Sequence, residues 1–315
     1  VVLPSEARWR RFSGTSSSSP TKHRSLARRA VAGLSSRLRH GKCDALPRRV
    51  IAPGPFDVQQ LCRQFGVPCH AVDDANDDAS LALLNHLRPD VLLSAGYIQI
   101  LSPAVLSVPR KIAVNFHPSS LPYYRGRHPH YWALWHGEQS TGVTAHRMGP
   151  RIDAGSILHH EQIAISPNDY YEDLYTKINA AVPLAVDGVD RFLLSGETPR
   201  ADLSDGEGSY FSEPTAEHRT LDWSRLDARS ARNRVRSGGA FFQLGRKRVS
   251  VLSAEVATND SPRGRPGEVL ACDEAIDVET AQGVLRLTEL NIEGAVYASR
   301  DVASQLRIRP QMVLA

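Results

Sequence analysis

The apolar run Ile112-Ala113-Val114 leads directly into Asn115-Phe116-His117 and is then stopped by Pro118 and Pro122. Side chains two apart on a strand point to the same face. An amide and an imidazole therefore project together from one strand end, and proline cannot continue a paired strand beyond them. A carboxylate, Asp153, follows in a glycine-flanked segment from Gly149 to Gly155. An amide, an imidazole and a carboxylate converging at a strand end suit acyl transfer.

The surrounding pattern sets the fold class. Val91-Leu92-Leu93-Ser94-Ala95 is a continuous apolar run, as expected of a strand buried on both faces. Arg49 to Ala52 reads as a short strand, ended by Pro53-Gly54-Pro55. Asp57 opens a helix with Val58, Leu61, Cys62 and Phe65 on one face, closed by Gly66. Residues 79–87 read as a second helix through Leu81, Leu84 and Leu87. Residues 157–165 read as a strand. Ser166-Pro167-Asn168-Asp169 reads as the start of a long helix with a kink at Pro183. Strands alternating with helices predict an α/β, Rossmann-like domain with a parallel sheet. Ligand sites in such sheets lie beyond the carboxyl ends of the strands, where residues 96–102 and 115–119 fall.

A linker rich in Gly, Ser, Pro and acids is expected over residues 197–218. Beyond it, a short helix at 226–236 and five β-like runs, at 240–244, 249–252, 268–271, 275–278 and 284–290, predict a small OB-like β-barrel. The domains are thus 1–45, a basic arm; 46–196, catalytic; 197–218, linker; and 219–315, barrel. Residues 1–50 carry 12 Lys/Arg against Glu6 and Asp44, so about +10 of charge sits there, although the whole chain is only +4. That arm reads as a disordered segment, an atypical start, or an RNA-contacting or targeting segment. No apolar core follows its charges, so it does not resemble a secretory signal.

Cys43, Cys62, Cys69 and Cys272 form no CxxC pair and have no zinc-ligand spacing. Reduced thiols, a cytoplasmic setting and no metal are expected. A hydrophobic content of 41% suits a packed core, and the lack of a long uncharged apolar run argues against a membrane partner.

Asn115-Phe116-His117, Ser119-Ser120-Leu121-Pro122 and Arg151-Ile152-Asp153-Ala154-Gly155, in that order, resemble the folate-dependent formyltransferase family. Ser120 stands where the family carries the middle Leu of a Ser-Leu-Leu-Pro loop. Residues 95–103 resemble the segment that holds the pterin ring. His218 to Trp223, Gly267 to Leu270 and Gly283 to Leu287 resemble the C-terminal barrel of methionyl-tRNA formyltransferases. Residues 1–45 show no convincing match to the strand and glycine turn with which the family begins.

The resemblance implies transfer of a formyl group from 10-formyltetrahydrofolate to an amine. It implies Asn115, His117 and Asp153 as catalytic residues. Gly96, Tyr97, Ile98, Gln99, Ile100, Leu101 and Pro122 are implied as donor-binding. Ser119, Arg125, Gly126 and Trp132 are candidates for acceptor binding. The Trp132 region and the Thr144-Ala145-His146-Arg147-Met148 segment look more like enzymes acting on amino sugars and other small amines, and an aromatic ring suits stacking on a sugar or base. The basic arm favours tRNA, which needs phosphate contacts. A formyltetrahydrofolate hydrolase and a non-catalytic binding protein on this scaffold are the remaining alternatives.

Overall fold

The computed structural model describes residues 2–4, 58–97, 99–197, 202–203, 206–257, 264–292 and 295–314. The strand expected at 49–52, the basic arm beyond residue 4, and Ile98 lie outside these. In chain order the elements are β1 (Val2–Pro4), α1 (Val58–Gln64), β2 (His70–Val72), α2 (Asp78–Leu87), β3 (Val91–Ala95), α3 (Pro103–Leu106), β4 (Ile112–His117) and β5 (Arg125–Gly126). There follow α4 (Pro129–His136), β6 (Ser140–Arg147), β7 (Ile157–Ala164), α5 (Tyr171–Ser195), β8 (Tyr210–Phe211), α6 (Ala216–Arg219) and α7 (Ala228–Ser237). The chain closes with β9 (Phe241–Leu244), β10 (Lys247–Val256), β11 (Val269–Ala271), β12 (Ile276–Glu279), β13 (Val284–Ile292), β14 (Ala295–Ala298) and α8 (Ser299–Leu306).

Two compact units are interleaved along the sequence. The first is Val1–Arg125, Gly142–Ile163 and Ile178–Ser209; the second is Gly126–Thr141, Ala164–Lys177 and Tyr210–Ala315.

In the first unit the sheet order is β3-β4-β6-β7. β3 and β4 run parallel, Val91 against Ile112 through Ala95 against Phe116. β6 is antiparallel to β4, which sets Asn115 opposite His146 and His117 opposite Thr144. The sheet is therefore mixed. The parallel expectation holds for its apolar-run strands, while β6 returns antiparallel. Val114 and Ala145 are fully buried. Besides this sheet, β1 pairs parallel with β2, Val2 against His70. The first residues thus supply a strand for which the sequence carried no recognisable signal.

Local chemistry explains the helix ends. α2 starts at Asp77, whose carboxylate accepts from the Ser80 N–H at 2.6 Å. α3 starts with Ser102 as cap and Pro103 in its first turn. The long helix begins at Tyr171 rather than at Ser166. Asp169 closes a turn instead, its backbone N–H donating to the Ser166 carbonyl and its carboxylate accepting from the Ser166 N–H at 2.7 Å. Asp173 then caps the helix from inside by accepting from the Tyr170 N–H at 3.0 Å. The helix continues through Pro183.

The second unit is built on an antiparallel sheet of order β11-β12-β13-β10-β9, with β14 added on β13, consistent with a small barrel. Phe242, Val249, Ile276, Leu285, Leu287 and Leu290 are fully buried in its core beside Trp223 of the preceding segment. β10 runs longer than the sequence suggests, because bulges near Ser253 let it stay paired with β13.

Candidate active site

The end of β4 carries the site. Asn115 is half-buried, and His117 is buried with 4% of its surface exposed. The His117 Nε2 lies 2.8 Å from the Tyr124 carbonyl. A carbonyl can only accept, so the proton is on Nε2 and Nδ1 is turned the other way. Nδ1 lies 3.5 Å from the Asp153 Oδ2. That spacing is an electrostatic contact, too long for a good hydrogen bond. Burial pushes the His117 imidazole below its ordinary value of 6.5; the Asp153 carboxylate and the Tyr124 bond oppose that, and His146 adds to it.

Asp153 is held by its loop. Its backbone is left-handed, with φ of +49°, a conformation aspartate tolerates better than most residues. At Gly155 a side chain would collide with the Arg147 carbonyl, so the loop passes against the end of β6 only because glycine is there. The next residue closes the contact, with the Arg147 N–H donating to the Ser156 carbonyl at 2.9 Å. This close passage brings the second carboxylate oxygen, Oδ1, within 3.5 Å of the His146 Nε2.

His146 joins this cluster, although the sequence marked it only as part of an acceptor-class segment and not as a candidate site residue. It is buried, and its Nδ1 donates to the Arg147 carbonyl at 2.9 Å. Its Nε2 lies 3.3 Å from the Asn115 Nδ2. The signal that could have found it is the alternation of Thr144 and His146 on β6. Its meaning depends on an antiparallel register with β4 that local sequence does not encode.

The loop after β4 is tied down by polar side chains. Ser119 is fully buried; its Oγ donates to the Tyr123 carbonyl at 2.8 Å, and its own carbonyl accepts from the Thr144 hydroxyl at 2.6 Å. The Thr144 hydroxyl also meets the His160 Nδ1 at 3.0 Å, and the His160 Nε2 meets the Ser120 hydroxyl at 3.4 Å. Ser120, the departure from the family loop, thus has a polar partner on β7. The Leu121–Pro122 peptide is cis, and the Pro122 carbonyl accepts from the Ser209 N–H at 3.2 Å. Arg125 donates through Nη2 to the Glu207 carbonyl.

The segment after β3 is split between anchoring and exposure. Gly96 takes φ of +62°. Leu101 is buried with Ala75, Leu84 and Val105, and Tyr97 packs against that cluster. Gln99 is a strut: its Oε1 accepts from the Ala75 N–H at 3.1 Å and the Tyr97 hydroxyl at 2.9 Å, and its Nε2 donates to Asp74 at 2.9 Å. Ile100 is 71% exposed, and Ile152, next to Asp153, is 41% exposed. These two loops therefore present aliphatic surface beside the polar strand end, which fits a flat aromatic ligand.

Gly126 and Trp132 belong to the second unit. At Gly126 a side chain would meet the Phe211 carbonyl. Trp132 is 3% exposed; its ring stacks on Phe211 with centroids 4.9 Å apart, and its indole N–H donates to the Ser212 carbonyl at 3.0 Å. Its faces and its donor are occupied by the protein, which is the arrangement of a packing residue. Among the described residues no group of His, Cys, Asp and Glu could hold a metal ion, and no helix is long and apolar enough to cross a membrane.

Comparison with known proteins bears on this arrangement. Residues 54–185 match the family "Formyl transferase", and residues 214–303 match "Formyl transferase, C-terminal domain". A methionyl-tRNA formyltransferase from Idiomarina loihiensis is 30% identical over 252 residues, covering 77% of this chain and 79% of its own.

The chain belongs to the formyl transferase family.

It is a formyl-transferring enzyme by that membership. Solved structures at lower identity share the fold. An N-formyltransferase from Helicobacter canadensis, in complex with folinic acid and dTDP-3-aminofucose, aligns with a TM-score of 0.59 and 14% identity, over 82% of this chain and 95% of that one. HypX from Aquifex aeolicus, in complex with tetrahydrofolic acid, aligns with a TM-score of 0.57 and 20% identity. That alignment covers 79% of this chain and 44% of HypX, so the chain spans under half of that protein's length.

Proposed function

We propose that the protein transfers the formyl group of 10-formyltetrahydrofolate to a small-molecule amine. The observation that carries this reading is the juxtaposition of Asn115, His117 and Asp153 at one buried strand end. The amine nitrogen attacks the formyl carbon, and its bond to the folate nitrogen breaks. The amine loses one proton, and the departing folate nitrogen gains one. Negative charge develops on the formyl oxygen, and an N–H of the Asn115 amide stabilises it. A donor held in place for that oxygen is worth about 10²–10³ in rate. The Asp153–His117 pair, whose Oδ2 and Nδ1 lie 3.5 Å apart, takes up the amine proton. Gly96, Tyr97, Gln99, Ile100, Leu101 and Pro122 would hold the donor, with the exposed aliphatic face at Ile100 against its ring. Arg125 and the Tyr123–Gly126 turn are the acceptor-side groups. No metal is required by these steps.

Two observations favour a small amine over tRNA. Lys/Arg and Asp/Glu are near balance over the second unit. Several arginines of α7 are already committed to carbonyls: Arg234 to Thr220 at 2.7 Å, and Arg236 to Asp169 and Ser166 at 2.8 and 2.9 Å. A surface for phosphates needs free cations. The reading as a methionyl-tRNA formyltransferase rests on the relative of that name at 30% identity.

The test is release of tetrahydrofolate from the formyl donor in the presence of charged initiator tRNA, amino sugars, nucleotide-linked amino sugars or hydroxylated ornithine. Release dependent on a small amine is the expected result. Release with tRNA alone overturns the acceptor. Formate without any acceptor identifies a hydrolase, and silence with donor bound identifies a binding protein.

A further inference from the structure

We infer that His146 is a positioning residue which fixes the orientation of the Asn115 amide, and with it which end of that amide faces the reacting group. The inference rests on the formyl-transfer reading for its catalytic consequence, but its structural part stands alone. Asn115 and His146 are direct cross-strand partners on β4 and β6. At such a pair the side chains are near neighbours.

The hydrogen-bond chemistry then runs in one direction. The His146 Nδ1 lies 2.9 Å from the Arg147 carbonyl, which can only accept, so Nδ1 carries the ring proton. In the neutral ring Nε2 is therefore a lone pair. It lies 3.3 Å from the Asn115 Nδ2, and in this neutral form, the one in which the inference holds, it accepts one of its two N–H groups. An amide has two N–H donors on one side and only acceptor capacity on the other. With one N–H anchored on His146, the second stays on the same end of the amide and is left to a ligand. If the amide were turned over, its oxygen would face the His146 lone pair, and acceptor would oppose acceptor. The Asp153 Oδ1, 3.5 Å from the same Nε2, adds negative charge to that corner and disfavours the amide oxygen further. His117, the remaining titratable neighbour, points its Nδ1 at the other Asp153 oxygen and offers nothing to the Asn115 amide. The amide's orientation is thus set by a residue that itself need not touch the substrate.

Two variants separate this role from packing. His146→Met keeps the size and removes the acceptor. In His146→Gln an amide oxygen can occupy the Nε2 position and accept again. The direct readout is the side-chain amide resonance of Asn115 by nitrogen–proton correlation NMR, assigned by its disappearance in Asn115→Ala. One Asn115 N–H proton should be shifted downfield in the unaltered protein and in His146→Gln, and return towards the solvent-exposed position in His146→Met. The kinetic readout is turnover, with roughly tenfold loss in kcat for His146→Met, little change in KM for the donor, and recovery in His146→Gln. In an Asn115→Ala background, His146→Met should cost nothing further. An Asn115 resonance unmoved by His146→Met, or the same loss in both backgrounds, overturns the inference. Failure of the formyl-transfer reading would show as no turnover in the unaltered protein, and the NMR result would still decide the inference.

Discussion

Two clusters of histidines and neighbours in this molecule are both largely buried yet chemically different. Around Trp132 in the second unit, indole and imidazole N–H groups are tied to backbone carbonyls. The Trp132 and Trp135 indoles donate to the Ser212 and His218 carbonyls at 3.0 and 3.1 Å, and His136 donates to the Trp132 carbonyl at 2.8 Å. Around Asp153 in the first unit, both carboxylate oxygens stand 3.5 Å from an imidazole nitrogen, so that titratable groups face one another. N–H groups bonded to carbonyls are what burial asks of a structural cluster. Titratable groups held face to face in a buried site are suited instead to moving a proton. The contrast is the ground for proposing chemistry at the β4 end and packing at the aromatic cluster, although both carried residues that the sequence marked as site candidates.

The sharpest way to break the contrast is to remove groups on each side. His117→Ala should lower turnover on the order of 10³, and Asn115→Ala on the order of 10², with the melting transition intact. Turnover within a few-fold of the unaltered protein would remove either residue from the chemistry. Trp132→Ala should do the reverse. It leaves a cavity in a stacked cluster and should cost ~3–5 kcal/mol of unfolding free energy in denaturant titration, while kcat of the folded fraction stays within about threefold. A large loss in KM for the acceptor without loss of stability would return Trp132 to the binding site.

A smaller effect sharpens the same contrast through pH. Burial holds the folded His117 below 6.5, so between its folded value and 6.5 the unfolded chain binds the additional proton. Stability from this group is therefore fully present above pH 6.5 and lost as pH falls through that window towards the folded value. His117→Gln should flatten the slope of unfolding free energy over the window. An unchanged slope would assign the dependence to other groups.

Much of this was legible in the sequence where a single element sufficed. β3 and β4 follow from their apolar runs, and the end of β4 from Pro118, because strand burial and proline act locally. α4 left no signal: Pro129 to Leu134 are all buried, so the helix has no polar face and no period to detect. β6 and the role of His146 depend on register with a strand about thirty residues away, and the polar pairing of Ser120 with His160 on β7 depends on the same sheet. Asp153 was legible through its neighbouring glycines, but its second contact, to His146, was not.

The most direct test is turnover of Asp153→Asn beside the unaltered protein, with the same formyl donor and an accepted amine. Asparagine keeps the shape and removes the charge that both imidazoles face. The account predicts a loss of several orders of magnitude, on the order of 10³ or more, with an unchanged melting transition and donor binding retained. Turnover close to that of the unaltered protein, in a variant that folds and binds the donor, would contradict it.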